Sequence, residues 1–281
     1  MDGSIVAADV DRAQQWRLKF DDFEEFPAAI ECSRDGTRAA YIRHDSQTRE
    51  GIVRITDETG ERVLRLEGVV SGASWSPDAK YLAVTRTDFE TLTNELLLID
   101  ADNDEQQSLI SGSGTIGAPR WSPDGASITF DSAVPEERNR LLVYNLGEDS
   151  PTPISTNVEG PASPDWSPNG QSIIFVGPAG TGQGQLFTVP PVGGEAAQIT
   201  ATNTDKTYPR WSLDGSLVAY VGTIPEPLTS RKLATLRHNV AVWTANPDGT
   251  DEKAFTDVAL DAWLIGWCAP GAWLENGWNW E

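Results

Sequence analysis

Pro119-Arg120-Trp121-Ser122-Pro123-Asp124-Gly125 decides how this chain folds, because the chain repeats it. Trp75-Ser76-Pro77-Asp78-Ala79 precedes it, and Trp166-Ser167-Pro168-Asn169-Gly170 and Trp211-Ser212-Leu213-Asp214-Gly215 follow. The tryptophans are spaced by 46, 45 and 45 residues. Weaker copies flank this set, Cys32-Ser33-Arg34-Asp35-Gly36 before it and Trp267-Cys268-Ala269-Pro270-Gly271 after it. Ser-Pro-Asp-Gly sets Ser, Pro and Gly at positions one, two and four of a type I turn. A left-handed Gly after such a turn joins two antiparallel strands. Ala79 in the Gly position costs about 1 kcal/mol if that residue keeps a positive φ.

The apolar runs after each turn predict second strands at Tyr81–Val84, Ile128–Phe130, Ile173–Val176 and Leu217–Val221. Third strands are expected at Leu96–Ile99, Leu141–Tyr144, Leu186–Val189 and Val240–Trp243. Shorter fourth strands are expected at Leu109–Ile110, Pro153–Ser155, Gln198–Thr200 and Ala254–Thr256. Four short strands in a repeat of about 40–50 residues make one blade of a β-propeller. The expected fold is all-β, a single propeller domain over residues 1–281. Its blades span about 29–66, 72–110, 118–155, 163–200 and 208–256. Ile5–Val10 and Trp16–Phe20 read as a third and a fourth strand, and the segment from Trp267 has room for a first and a second. Residues 1–20 with 263–281 then form a sixth, split blade that closes the ring and removes its free edges.

The Pro-x-Trp-Ser-Pro-Asp-Gly pattern, carried best by Pro119–Gly125, Pro164–Gly170 and Pro209–Gly215, resembles the repeat of TolB-type propellers. These are related in architecture to WD-repeat propellers. The resemblance implies a bacterial binding module that meets a partner in or near the cell envelope. It does not extend to the separate N-terminal domain of TolB proteins. Similar propellers precede the hydrolase domain of prolyl oligopeptidase-like enzymes, but no Gly-x-Ser-x-Gly elbow is present. Others resemble oligogalacturonate lyase, whose metal and channel histidines contrast with the two histidines here, His44 and His238. A metal-free lyase, isomerase or cyclase acting on a small molecule or carbohydrate at the channel mouth is the alternative to binding.

Composition narrows the partners. The chain has 39% hydrophobic and 22% charged residues, an ordinary globular balance. Its 42 acidic residues against 21 basic ones, five of them lysine, give a net charge of -21. Such a surface repels nucleic acid and anionic lipid. No apolar run is long enough to span a membrane. The expected partner is a protein, peptide or small ligand at the channel face, met by a monomer. No cofactor and no metal are expected, since neither a His-Glu-x-x-His motif nor a cysteine cluster is present. The N-terminus shows no signal peptide. Removal of an export signal would place the protein in the periplasm or outside the cell; otherwise it is cytoplasmic.

Candidate ligand-binding residues fall in three groups. The residue before each motif tryptophan lies on an innermost strand and approaches the channel. In order these are Glu31, Ser74, Arg120, Asp165, Arg210 and Gly266, which sets Asp165 between two arginines. They form either an ion-pair belt between blades or an anion site. The insertion 222–238 carries Arg231, Lys232, Arg237 and His238, a basic cluster on a long loop. Trp263, off the repeat pattern, offers an aromatic platform or closure packing. Two further runs read as structure. Asp100, Asp102 and Asp104 alternate as calcium ligands do, but Glu105 stands where an EF-hand loop needs Gly, so a solvated turn is expected. The glycine-rich run 177–184 reads as a loop between second and third strands. Cys32 and Cys268 fall on neighbouring blades if the ring closes as expected, as a disulfide or as two buried thiols.

Overall fold

A computed structural model describes residues 4–9, 14–19, 29–134, 137–180, 182–223 and 240–254 of the chain. No helix occurs among them. Two strands, β1 (Ser4–Asp9) and β2 (Gln14–Lys19), pair antiparallel as a two-stranded sheet. Five antiparallel four-stranded sheets follow, each a blade. Blade one holds β3 (Ala29–Cys32), β4 (Ala39–Asp45), β5 (Glu50–Asp57) and β6 (Gly60–Glu67). Blade two holds β7 (Val69–Trp75), β8 (Tyr81–Asp88), β9 (Thr93–Asp100) and β10 (Gln106–Gly112). Blade three holds β11 (Arg120–Trp121), β12 (Ser127–Ser132), β13 (Arg140–Asn145) and β14 (Thr152–Pro153). Blade four holds β15 (Ala162–Trp166), β16 (Ile173–Pro178), β17 (Gly184–Val189) and β18 (Ala197–Gln198). Blade five holds β19 (Lys206–Trp211), β20 (Val218–Thr223), β21 (Val240–Ala245) and β22 (Lys253–Ala254).

The expected strand order is therefore present, with fourth strands that are two residues long in blades three to five. The expected count of six blades meets five among the described residues. The partner strands expected from residues 263–281 lie outside them, as does the expected split-blade pairing.

Each motif turn is built the same way. The amide of the fourth turn residue donates to the serine carbonyl: Gly36 to Ser33 at 3.0 Å, Ala79 to Ser76 at 2.9 Å and Gly125 to Ser122 at 3.0 Å. Gly170 to Ser167 and Gly215 to Ser212, both at 2.9 Å, repeat it. The serine hydroxyl donates to the Asp or Asn two residues on and accepts the amide five residues on, as Ser167 does with Asn169 at 2.8 Å and Ser172 at 2.9 Å. The polar groups of a tight turn are thus satisfied inside it. Ala79 takes a φ of 57°, in register with 72° at Gly125 and 70° at Gly170, so the left-handed penalty falls on it.

The core consists of interfaces between blades. Ile42, Val53 and Ile55 of blade one pack with Trp75, Leu82, Val84 and Ile99 of blade two. Ala83, Leu96 and Leu98 on the other face of blade two pack with Trp121, Ile128 and Phe130. Ile173 and Phe175 face blade three, while Ile174 faces Val218 and Tyr220 of blade five. Strand alternation explains the unbroken apolar runs, because both faces of each sheet are covered. Trp75, Trp121, Trp166 and Trp211 each wedge against the preceding blade, and burying a large side chain in this way contributes about 1.5–3 kcal/mol. Cys32 is disulfide-bonded. Cys268, the one other cysteine of the sequence, lies outside the described residues.

Candidate functional site

The antiparallel blades give the disc two axial faces. Motif turns lie on one, and the hairpins joining second to third strands lie on the other. On the turn face, the second residues of the five described motif turns meet around the mouth of a cavity of about 140 Å³: Arg34, Pro77, Pro123, Pro168 and Leu213. Trp75, Trp121, Trp166 and Trp211, packed between the blades, also border it. Deeper still stand the residues before the tryptophans, Glu31, Ser74, Arg120, Asp165 and Arg210. Five of the six ring positions singled out in the sequence therefore line one cavity, and the sixth, Gly266, lies outside the described residues.

Backbone irregularities aim these side chains. The register of β15 against β16 shifts between Ala162 and Asp165, and that of β19 against β20 between Thr207 and Arg210. Ser163 and Tyr208 sit inside the shifts with φ of 54° and 52°, each just before a proline. Left-handed backbone is unfavourable for such residues by about 1–3 kcal/mol, and the position before proline resists helical geometry as well. Asp131 Oδ1 accepts the Ser163 amide at 3.0 Å and holds one of these bulges in place.

Arg120 is the hub. Its side chain is 6% exposed. Nη1 lies 2.9 Å from Glu31 Oε1 and donates to the carbonyls of Ala73 at 2.6 Å and Pro119 at 3.1 Å. Nε lies 3.8 Å from Asp165 Oδ1. These ion pairs set one guanidinium between two carboxylates. Arg210 lines the same cavity and donates to its neighbour's carbonyl, Pro209 O, at 2.8 Å. Ring residues also tie blades together: Trp121 N–H donates to Ser74 Oγ at 3.3 Å, and Trp211 N–H to Asp165 Oδ2 at 2.8 Å.

Electrostatics differ between the turns and the ring. Burial pushes the Asp165 carboxyl up to about 7, against the pull of Arg120 and the Trp211 amide. Burial raises Glu31 too, again against Arg120. In the turns the effect reverses. The serine hydroxyls hold Asp78 and Asp124 below the usual carboxylate range, and Ser212 with Ser216 holds Asp214 down to about 2. A hydrogen bond to the charged form favours it, whereas desolvation disfavours it.

Arg231, Lys232, Arg237, His238 and Trp263 lie outside the described residues. The anchors of the basic loop, Thr223 and Val240, pair with each other at the opposite axial face. Asp102 and Asp104 pair with Arg38 and Arg62 of blade one, and Asp100 Oδ1 accepts the Asp102 amide at 2.9 Å. The acidic alternation is thus a turn held by arginines. The glycine-rich run is the hairpin from β16 to β17.

Two features escaped the sequence reading. Arg34 stands on the cavity rim where the motif has proline, and its Nη2 donates to Leu213 O at 3.2 Å, across 179 residues of chain. The signal was present as a departure from the repeat. Lys206, 1% exposed, lies off the motif. It is satisfied by Thr202 Oγ1 at 2.6 Å, Thr204 Oγ1 at 3.1 Å and Glu252 at 3.3 Å, and sits 5.1 Å from the Tyr220 ring.

Radially arranged four-stranded blades with an axial cavity define a β-propeller. The TolB beta propeller domain family matches residues 25–246, and the chain belongs to that family. No curated protein matches the chain. Among solved structures it is similar to a putative TolB from Agrobacterium tumefaciens, with 18% identity and a TM-score of 0.71 over 91% of this chain and 89% of that one. TolB from Acinetobacter baumannii is 24% identical with a TM-score of 0.64 over 80% of this chain; the match covers 54%, about half, of that chain. An oligogalacturonate lyase from Vibrio parahaemolyticus is 14% identical with a TM-score of 0.58, over 90% and 72% of the two chains. Identities this low speak for the fold alone.

Proposed function

We propose that this propeller is a binding module that presents its axial faces, with the cavity mouth and the loops, to a protein, peptide or small ligand. One observation carries the reading. The positions that differ from blade to blade converge on one axial cavity, while the turns around them are built alike. A rigid scaffold with varied residues at one concave site is how binding sites are commonly made. Membership of the TolB propeller family supports partner binding, and the envelope of a bacterium is the corresponding setting. The arginine-rich loop and Trp263 are further contact candidates. No observation favours a lyase, isomerase or cyclase over binding, and turnover of a carbohydrate by the purified protein would reverse that choice.

The same reading gives the ring six blades, closed by residues 1–20 with 263–281. Two considerations support it. The two-stranded sheet of β1 and β2 has half the strands of the other blades. Cys32 on β3 is disulfide-bonded, and Cys268 of the last repeat is the one cysteine left to pair with it. Deleting residues 1–20 should expose a sheet edge and cause aggregation; a soluble truncation of equal stability would defeat the closure.

Photo-crosslinking groups test the binding reading. They are placed at Arg34 and Phe89 on the two axial faces, and at Val63 and Arg65 on the outermost strand β6. Adducts formed in the producing cell should concentrate at the axial faces. Equal labelling of outer strand and faces would contradict the proposal.

A further inference from the structure

We propose that the tip of the hairpin joining β8 to β9 is a docking knob for a protein partner that offers an apolar pocket with a basic rim. The knob stands on the axial face opposite the cavity mouth, so the inference goes beyond the reading given above and does not depend on it.

Blade one supplies the control. Asp45 pairs with Glu50 and Asp88 with Thr93, so the loops at the two tips are residues 46–49 and 89–92. They are built alike. Asp45 Oδ1 accepts the amides of Gln47 at 2.9 Å and Thr48 at 3.2 Å, and Asp88 Oδ1 accepts those of Glu90 at 2.8 Å and Thr91 at 3.2 Å. The last loop residue is left-handed in both, with φ of 60° at Arg49 and 56° at Leu92. The side chains differ where the backbones agree. Blade one shows Ser46 and Arg49 at the first and last loop positions, whereas blade two shows Phe89 and Leu92. The turn itself therefore does not require apolar residues.

Nor does packing explain them. Phe89 is 65% exposed and Leu92 71%. Other large apolar side chains exposed among the described residues, Val63, Leu146 and Val192, stand singly, whereas these two share a loop. Leucine at a left-handed position, where Gly or Asn is less strained, adds strain without burial in return. An exposed aromatic beside an aliphatic on a rigid element is the kind of anchor that dominates protein interfaces. The surface beside the knob is uncharged as well. Gly112 pairs with Asn94 near the base of the hairpin, and the chain runs on as Ser113-Gly114-Thr115-Ile116-Gly117-Ala118.

Charge selects the occupant. Glu90 is exposed within the tip, and Asp88 stands at its base. A pocket that receives Phe89 and Leu92 meets these carboxylates at its rim, and basic residues there complement them. A second copy of this chain would bring the same carboxylates and a further net charge of -21. Anionic lipid is repelled for the same reason.

A photo-reactive phenylalanine analogue placed in the full chain at position 89, and at the equivalent position 46 as control, tests this in the producing cell. Position 89 should give a protein adduct and position 46 none. A captured protein supports the inference only if its capture follows the chemistry of the knob. Leu92→Arg should cut the yield about tenfold or more, and Glu90→Lys about threefold or more. Leu92→Arg should fold normally, because Arg49 holds the same backbone in blade one, and an unchanged urea midpoint checks it. Equal adducts at 46 and 89, no adduct at 89, adducts with lipid or with a second copy of this chain, or a yield unmoved by Leu92→Arg or by Glu90→Lys would overturn the proposal. Adducts from position 34 with none from 89 would leave the binding module standing and remove this inference alone.

Discussion

The motif turns and the channel ring are separated by one tryptophan and obey opposite rules. After the cysteine or tryptophan stands Ser33, Ser76, Ser122, Ser167 or Ser212, and each makes the same turn bonds. Before it stands Glu31, Ser74, Arg120, Asp165 or Arg210, side chains of four kinds around one cavity. Turn carboxylates are held charged by hydrogen bonds, whereas ring carboxylates are pushed toward the neutral form by burial. The contrast teaches that a repeat keeps what closes a blade and varies what faces the axis.

The largest expected effect lies in the ring. Arg120→Ala leaves Glu31 and Asp165 buried without their shared cation and should destabilise the fold by about 3–5 kcal/mol. Urea unfolding measures it, and a loss under about 1 kcal/mol would show that the hub holds nothing together.

Next is a dependence on pH that the two regions should show with opposite sign. The folded state holds the Asp165 proton more tightly, at about 7 against an ordinary 3.8. Its contribution to stability is then fully present below about pH 4 and is lost as pH rises toward about 7. Asp165→Asn should flatten this slope. The turn aspartates act the other way, adding stability above their ordinary range that is lost as pH falls below it. Unfolding midpoints of both proteins across this range decide the matter; parallel curves would contradict the assignment.

In the turns, single changes should be smaller. Ser167→Ala removes a hydroxyl that bonds both Asn169 and the Ser172 amide, and should lower stability by about 1–3 kcal/mol. Smallest is a gain. Ala79→Gly relieves a φ of 57° and should stabilise by about 1 kcal/mol, visible as a raised melting temperature. A loss there would mean that the methyl group of Ala79, a residue 4% exposed, packs too well to remove.

Much of this was legible in the sequence because turn chemistry is local. Ser, Pro, Asp and Gly fix their own hydrogen bonds within six residues, so Trp121–Gly125 announces its conformation wherever it stands. Ring membership was also legible, since a constant period brings Glu31, Arg120, Asp165 and Arg210 to equivalent places. Pairing within the ring was not. Arg120 reaches past Ser74 to Glu31 because serine is short, a fact of three-dimensional reach that periodicity does not encode. Lys206 was illegible for a similar reason: Thr202, Thr204, Tyr220 and Glu252 gather around it from three separate segments. Arg34 was visible only as a missing proline.

The central claim, that the two sides of the tryptophan divide folding from binding, meets its most direct test at Trp166. Asp165→Ser copies the Ser74 arrangement, in which a hydroxyl accepts the next blade's tryptophan amide. Urea unfolding and the yield of crosslinks from position 34, on Asp165→Ser and Ser167→Ala, form one measurement. The account predicts that Asp165→Ser keeps its stability within about 1 kcal/mol and changes the crosslink yield, with Arg120 released from one carboxylate. It predicts that Ser167→Ala loses stability with its crosslink yield unchanged. Equal losses of stability in both variants, with the crosslink yield unmoved by either, would contradict it.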